Sequence, residues 1–252
     1  MSDAAPPIVV PYGAGRNGTG ELLGMYERGI TPDLILMADT RGEKTATYEH
    51  VGRFNRWLIE HAMPEITIVT KNSKYESLED ECLRKNTLPS LAFGWRSCSD
   101  KWKQEPQRKF INNWQPAKDV WEHGGKVVRA IGFHAGEAHR AAKFTEDAKY
   151  RNWYPLIEWG WDNDDCIAAI RRHGLEVPPK SACYFCPAST KREVLALRSD
   201  EPELYARAVA MERNAAPTLI RIKGLGRHWD WENLEAAPEV HSIEQVCMCF
   251  DE

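Results

Sequence analysis

The segment from Pro6 to Gly20 constrains this chain more than any other. A short apolar run, Ile8 to Val10, is closed by Pro11 and leads directly into a stretch with glycine at 13, 15, 18 and 20. Strands buried on both faces use short continuous apolar runs of this kind. Glycines placed just after such a strand permit positive φ and let backbone N–H groups approach an anion closely. Glu21 to Arg28 then reads as helical, with Leu22, Leu23, Met25 and Tyr26 on its apolar side and Gly29 as its stop. A helix there aims its positive end back at the glycines, so phosphate binding suits the arrangement.

The same alternation continues along the chain. Leu34 to Ala38 is a second buried-strand run, Thr47 to His61 a helix with Val51, Phe54, Trp57 and Leu58 on one side, and Ile66 to Thr70 a third strand. Phe110 to His123 reads as helical but interrupted at Pro116. Val127 to Gly132 is another strand, and helices are expected over Asp164 to Arg172, Arg192 to Leu197 and Pro202 to Asn214. Strand–helix–strand alternation predicts an α/β fold, a mainly parallel twisted sheet with helices on both faces. The organisation expected is a nucleotide-binding α/β domain over 1–178 and a C-terminal helical and loop region over 179–252.

Composition narrows the function classes. The 252 residues carry a formal net charge of −4, which gives no general attraction to nucleic acid or membranes. No apolar stretch approaches transmembrane length, and the polar, Pro-rich start does not read as a signal peptide. A cytoplasmic protein without a membrane partner is expected. In a reducing compartment the seven cysteines read as metal-binding or catalytic before they read as disulfides. The ten tryptophans read as core and rim aromatics, with base stacking as the functional alternative.

The glycine loop taken alone is ambiguous. It is not a Walker A loop, because no Gly-Lys-Ser/Thr closes it. Gly13, Gly15 and Gly18 have dinucleotide-fingerprint spacing, and Asp39 follows the second strand where a ribose-binding acid would sit. Four blocks in order resolve the choice by resemblance. Gly13 to Thr19 resembles the PP-loop signature S-G-G-x-D-S-T. Pro32 to Tyr48 is similar to the D-T-G-x-x-x-x-E-T region of phosphoadenosine phosphosulfate reductases and their relatives. Arg96 to Lys103 resembles their C-T-x-x-L-K element, and Ile131 to Arg140 their G-x-R-x-x-E-S-x-R element. The resemblance covers roughly the first 140 residues and implies the PP-loop (HUP-like) version of the α/β fold. The departures are Gly13 and Gly18 for serines, Ala14 for glycine, Asn17 for aspartate and His134 for arginine.

On that resemblance, a nucleotide site is expected from Tyr12, Gly13, Ala14, Gly15, Arg16, Asn17, Gly18, Thr19, Asp39, Thr40, Glu43, Gly132, His134 and Glu137. Asp39, Lys103, Arg140 and Cys249 are the expected catalytic groups. Asp39 lies at the carboxyl end of a strand, where open α/β sheets place their sites, and its alternative role is a helix cap. Glu43 reads either as a Mg²⁺ ligand or as a complement to a helix dipole. Arg41, Lys44, Lys101, Lys103 and Arg140 are the cations expected near phosphate or sulfate. Glu137 and Arg140, three apart, can pair on one helical face.

Cys183 and Cys186 form a C-x-x-C followed by Pro187 and bracketed by Pro179. That spacing lets two sulfurs face one ion from a tight turn, as zinc and iron–sulfur sites require. Cys98 lies in a matching block, and Cys247 and Cys249 stand near the C-terminus; a four-thiolate site is available from Cys98, Cys183, Cys186 and one of Cys247 and Cys249, as is a three-thiolate site with an open iron. Family relatives that handle sulfur carry 4Fe-4S clusters on comparable cysteines, so the resemblance implies a 4Fe-4S cluster, with zinc as the alternative. Cys82 and Cys166, in helical contexts, read as plain core thiols. His228 and His241 are the alternative ligands, and Cys249 is otherwise a nucleophile or sulfur carrier.

The function implied is an ATP-binding enzyme of sulfur metabolism, a sulfurtransferase or sulfonucleotide reductase, with a small-molecule sulfur donor or a nucleic-acid acceptor as partner. Homodimerisation is compatible with such an enzyme. Asn17 and Gly18 favour the other class, a nucleotide-binding sensor.

Overall fold

A computed structural model describes residues 5–234. Five strands form one parallel sheet: β1 (Ile8–Pro11), β2 (Leu34–Asp39), β3 (Ile66–Thr70), β4 (Val127–Ala130) and β5 (Tyr150–Trp153), in the order β3-β2-β1-β4-β5. Val9 pairs with Leu34 on one side and Arg129 on the other, and Ile35 pairs with Ile66. The expected α/β class is therefore present as a parallel sheet with helices around it.

The helices are α1 (Arg16–Glu27), α2 (Thr45–Glu60), α3 (Leu78–Arg84), α4 (Ser97–Ser99), α5 (Glu105–Asn113), α6 (Gln115–Glu122), α7 (Ala138–Ala141), α8 (Pro155–Glu158), α9 (Asn163–Arg172), α10 (Lys191–Asp200) and α11 (Pro202–Ala215). A π-helical turn, Asp100–Gln104, joins α4 to α5. The break expected at Pro116 falls between α5 and α6, where Trp114 is extended and Pro116 sits in the first turn of the next helix.

Side-chain alternation along the strands sorts two cores. Val10, Ile35 and Met37 pack with Leu22, Leu23, Phe54, Leu58 and Ile170 from α1, α2 and α9. Val9, Leu34 and Leu36 point the opposite way, onto Ile111 and Ala117 of α5 and α6. A strand period of two thus buries both faces of β1 and β2. A third core joins Leu78, Cys82, Leu88 and Trp102 to Cys183, Phe185, Val194, Met211 and Trp231. The C-terminal helices therefore pack on the segment between β3 and β4, and this brings the C-x-x-C turn back to the sheet.

The strand order sets the position of the main cleft between β1 and β4. From β1 the chain moves to β2 and β3 on one side, then crosses to β4 and β5 on the other. The loops after β1 and β4 diverge and leave a crevice at the carboxyl ends of those two strands, the usual ligand position in open α/β sheets.

Candidate functional site

A cleft of about 710 Å³ occupies that crevice. Its floor is the loop after β1, the first turn of α1 and the segment after β4: Tyr12, Gly13, Gly15, Arg16, Asn17, Gly18, Ile131, Gly132 and His134 all line it. The helix begins earlier than the sequence reading placed it, at Arg16 rather than Glu21. Gly18 and Gly20 are thus helical, and the loop shortens to Tyr12–Gly15. Packing outweighs their low propensity. A Cβ on Gly20 would lie 2.7 Å from Cys166 Cβ of α9, and one on Gly18 would lie 3.2 Å from the Tyr12 ring.

Gly15, the N-cap of α1, offers no side-chain acceptor, and the first turn has no acidic residue. The first amides of α1 therefore have no intrahelical partner and face the cleft with the positive end of the helix dipole. Ala14 adopts φ 56°, a left-handed conformation that costs a non-glycine residue roughly 1–2 kcal/mol. The loop keeps this turn although alanine replaces the glycine of the resembled signature, and the alanine methyl is buried. Ser181, from the C-x-x-C loop, donates its hydroxyl to the Gly13 carbonyl and ties the two loops together.

Thr19 and Ala14, both expected to contact nucleotide, are buried beneath the cleft and do not line it. The Thr19 hydroxyl, the Tyr12 hydroxyl and His50 Nε2 form a triangle with 3.0 Å sides. Burial, with Arg53 nearby, pushes the His50 pKa down to about 4, so the imidazole is neutral at physiological pH. Burial raises the Tyr12 phenol. The triangle anchors Tyr12, at the end of β1, and the first turns of α1 to α2 from below. Sequence reading missed it, although His50 sits one turn before Phe54 on the apolar side of α2.

Among the described residues, seven Lys and Arg side chains line the cleft against four glutamates, a balance that favours an anionic ligand. Of the five expected cations, Lys103 and Arg140 are among the seven; Arg41, Lys44 and Lys101 are not. Arg41 instead donates to the Glu76 carbonyl at 3.1 Å. Arg129 and Lys180 line the cleft without having been expected there. Glu137 pairs with Arg140, as the spacing predicts, and accepts from Asn17 Nδ2 at 3.3 Å and the His134 amide at 3.2 Å. Asp39 lies outside the lining, where it accepts from the Arg41 amide at 2.7 Å and the Tyr48 hydroxyl at 2.9 Å. Its observed role is to hold the turn after β2.

Glu43 lines the cleft, and its Oε1 lies 3.2 Å from Lys103 Nζ and 3.9 Å from Cys183 Sγ. Thr40 is buried, with its hydroxyl 3.1 Å from the same sulfur. The C-x-x-C turn docks on the β2–α2 loop through a bridge between Glu43 and Cys183 and a 2.8 Å bond from the Tyr184 amide to the Gly42 carbonyl. Gly42 permits this approach, since a Cβ there would sit 2.6 Å from Phe185. The Cys186 amide bonds the Cys183 carbonyl at 3.0 Å, so the two cysteines share one tight turn. Burial first, and then Glu43, raise the Cys183 thiol well above the ordinary range.

Paired thiols in one turn suit two corners of a thiolate-ligated metal. Among the described residues, no three His, Cys, Asp or Glu side chains converge to hold a metal ion, so Cys98 does not complete a set with Cys183 and Cys186. Cys98 packs at the edge of the third core, near Cys82. His228 is exposed. Cys247, Cys249 and His241 lie outside the described residues. Cys82 and Cys166 are buried core thiols, both pushed up to about 12 chiefly by burial.

No helix among the described residues is long and apolar enough to cross a membrane. No family model matches the chain, and no curated protein matches it. Among solved structures, the U34-tRNA thiolase NcsA from Methanococcus maripaludis with its 4Fe-4S cluster is similar over 97% of this chain and 78% of its own, with 13% sequence identity and a TM-score of 0.40.

Proposed function

We propose that this chain is an adenine-nucleotide-binding enzyme of the PP-loop kind that acts in sulfur transfer. One observation carries the reading. The amide-rich start of α1, the cations Lys103 and Arg140, and the loop bearing the paired cysteines border the same cleft. The α1 amides and Arg16 would hold the nucleotide phosphates, and Lys103 and Arg140 would neutralise charge as it shifts during transfer. In this reading residues 1–178 carry the nucleotide chemistry and 179–252 the cysteine centre.

Cys183 and Cys186 fit as two ligands of a 4Fe-4S cluster, with the others to come from Cys247 and Cys249. Such a cluster would supply an iron able to bind or hand over sulfur. Zinc at the same thiols would be structural. For the acceptor, a nucleic acid is favoured over a small molecule by Trp95, which is 72% exposed two residues from the exposed Phe93, with Lys101 and Arg108 following in the sequence. Exposed aromatic side chains are the surfaces on which unpaired bases stack.

Metal and sulfide analysis of anaerobically purified protein, coupled to an ATP-to-pyrophosphate assay, tests the reading. Iron with matching sulfide, lost in Cys183→Ser, is the expected result. Zinc without sulfide removes the cluster. ATP binding without pyrophosphate release converts the enzyme into the sensor that Asn17 and Gly18 favour.

A further inference from the structure

One carboxyl group on the floor of the cleft has no partner. Glu21 lies in α1, is 1% exposed, and neither of its oxygens has a hydrogen-bond partner. Buried polar groups without partners are rare, and each calls for a physical explanation. An aliphatic side chain would fill this position without the desolvation cost of a carboxyl. Glu43 and Glu137, the other buried carboxylates of the cleft, differ because Lys103 and Arg140 already balance their charges.

The surroundings of Glu21 point to a ligand. Asn17 and Glu21 are four apart on α1 and share a face. A Cβ on Gly132 would lie 2.9 Å from Glu21 Oε2, 3.5 Å from the Asn17 carbonyl carbon and 3.5 Å from Gly18 Cα. The Glu21 carboxyl, the first turn of α1 and the end of β4 therefore meet at one point. Glu137 reaches the same point from beyond β4 and takes the Nδ2 of Asn17. This leaves the Asn17 side-chain oxygen as an acceptor. Asn17, Glu21, Gly132 and Glu137 all line the cleft, directly beside the amides that suit phosphate.

We propose that Glu21 and Asn17, backed by Glu137, hold a divalent cation of the Mg²⁺ class that bridges to the phosphates of the bound nucleotide. This rests on the nucleotide reading above and assigns the metal to residues within it. Mg²⁺ prefers oxygen ligands and is usually held by one or two carboxylates plus phosphate oxygens and water, not by a complete protein cage. Asn17 is uncharged and the first turn of α1 has no acid, so Glu21 supplies the negative charge one turn further along.

The test uses the full chain, ATP, and Mn²⁺ as the probe, with free Mn²⁺ followed by electron paramagnetic resonance. Wild-type protein with ATP should hold Mn²⁺ more tightly than ATP alone. Glu21→Gln should weaken Mn²⁺ binding in the ternary complex about tenfold or more, the scale on which metal sites respond to lost partners. Asn17→Asp in the Glu21→Gln background should restore most of it, because a carboxylate returns to the same helical face. A purely structural role for Glu21 would give no such rescue. Unchanged Mn²⁺ affinity in Glu21→Gln overturns the proposal, and so does a loss seen in Glu43→Gln but not in Glu21→Gln. Wild-type ATP binding in EDTA reads the phosphate loop separately. If ATP binds there while Mn²⁺ ignores Glu21, only the metal assignment fails; if ATP binds under neither condition, the nucleotide reading fails with it.

Discussion

Replacing Glu21 by glutamine should stabilise the free protein, by an amount that grows with pH. The side chain is buried without a partner, and desolvation moves its pKa from 4.5 up to about 8. The sign follows from linkage. A carboxyl whose folded pKa is raised favours folding fully below the unfolded value, and that contribution is lost as pH rises through the folded value. Each pH unit in this window is worth about 1.4 kcal/mol. The native state thus loses roughly 1 kcal/mol by pH 5, about 3 kcal/mol by pH 7 and about 4 kcal/mol by pH 8. Glutamine has nearly the same shape and no such proton linkage. Urea unfolding of both proteins from pH 5 to 8, in EDTA and without nucleotide, measures the difference directly. Subtraction removes His50 and Glu212, which titrate in both proteins. The difference should widen by about 3 kcal/mol across the range. Parallel stability curves would refute the reasoning, because they would mean that the Glu21 carboxyl is solvated or paired in the native protein.

Three further outcomes follow from the same geometry. Gly132→Ala should weaken ATP binding about tenfold, the equivalent of about 1.4 kcal/mol, with a smaller effect on the urea midpoint, because the added Cβ meets Glu21 and the first turn of α1 at the cleft floor; equilibrium binding of a fluorescent ATP analogue checks this. His50 should cost stability on the acid side: its folded pKa is depressed, so its contribution holds above pH 6.5 and is lost as pH falls toward about 4. A His50→Leu comparison should isolate up to about 3 kcal/mol over that window, offset by whatever leucine loses at the Tyr12 and Thr19 hydroxyls. Glu212→Ala should release the loop that Glu212 holds through the amides of Leu225, Trp231 and Glu232; about 3 kcal/mol is expected from leaving buried donors unpaired, and faster hydrogen exchange at those amides reports it.

The sheet was largely legible in the sequence because β1 and β2 are central strands that write their burial as continuous apolar runs, while β3, at one edge, is still rich in β-branched residues. β5, Tyr150–Trp153, was missed: it is an edge strand with Arg151 exposed, and its alternation resembles a loop. The start of α1 was misplaced because Gly18 and Gly20 read as turn residues. Their helical role depends on how closely Tyr12 and Cys166 approach, which a single chain segment does not encode.

The glycine-rich β1–α1 connection, the C-x-x-C pair and the Glu137–Arg140 spacing were determined by the sequence itself, since each is a local arrangement set by a few neighbouring residues and the intrinsic geometry of turns and helices. Which residues share a cleft was decided by tertiary structure. Asp39 and Thr19 stand in matching blocks, yet one holds a turn and the other is buried against His50. Glu21 reads as one more polar residue at a helix start, and becomes a buried, unpartnered carboxyl only when Gly132 and α9 close over it. The physical reason is that desolvation depends on what surrounds a side chain from every direction, and most of that surface comes from segments a hundred or more residues away.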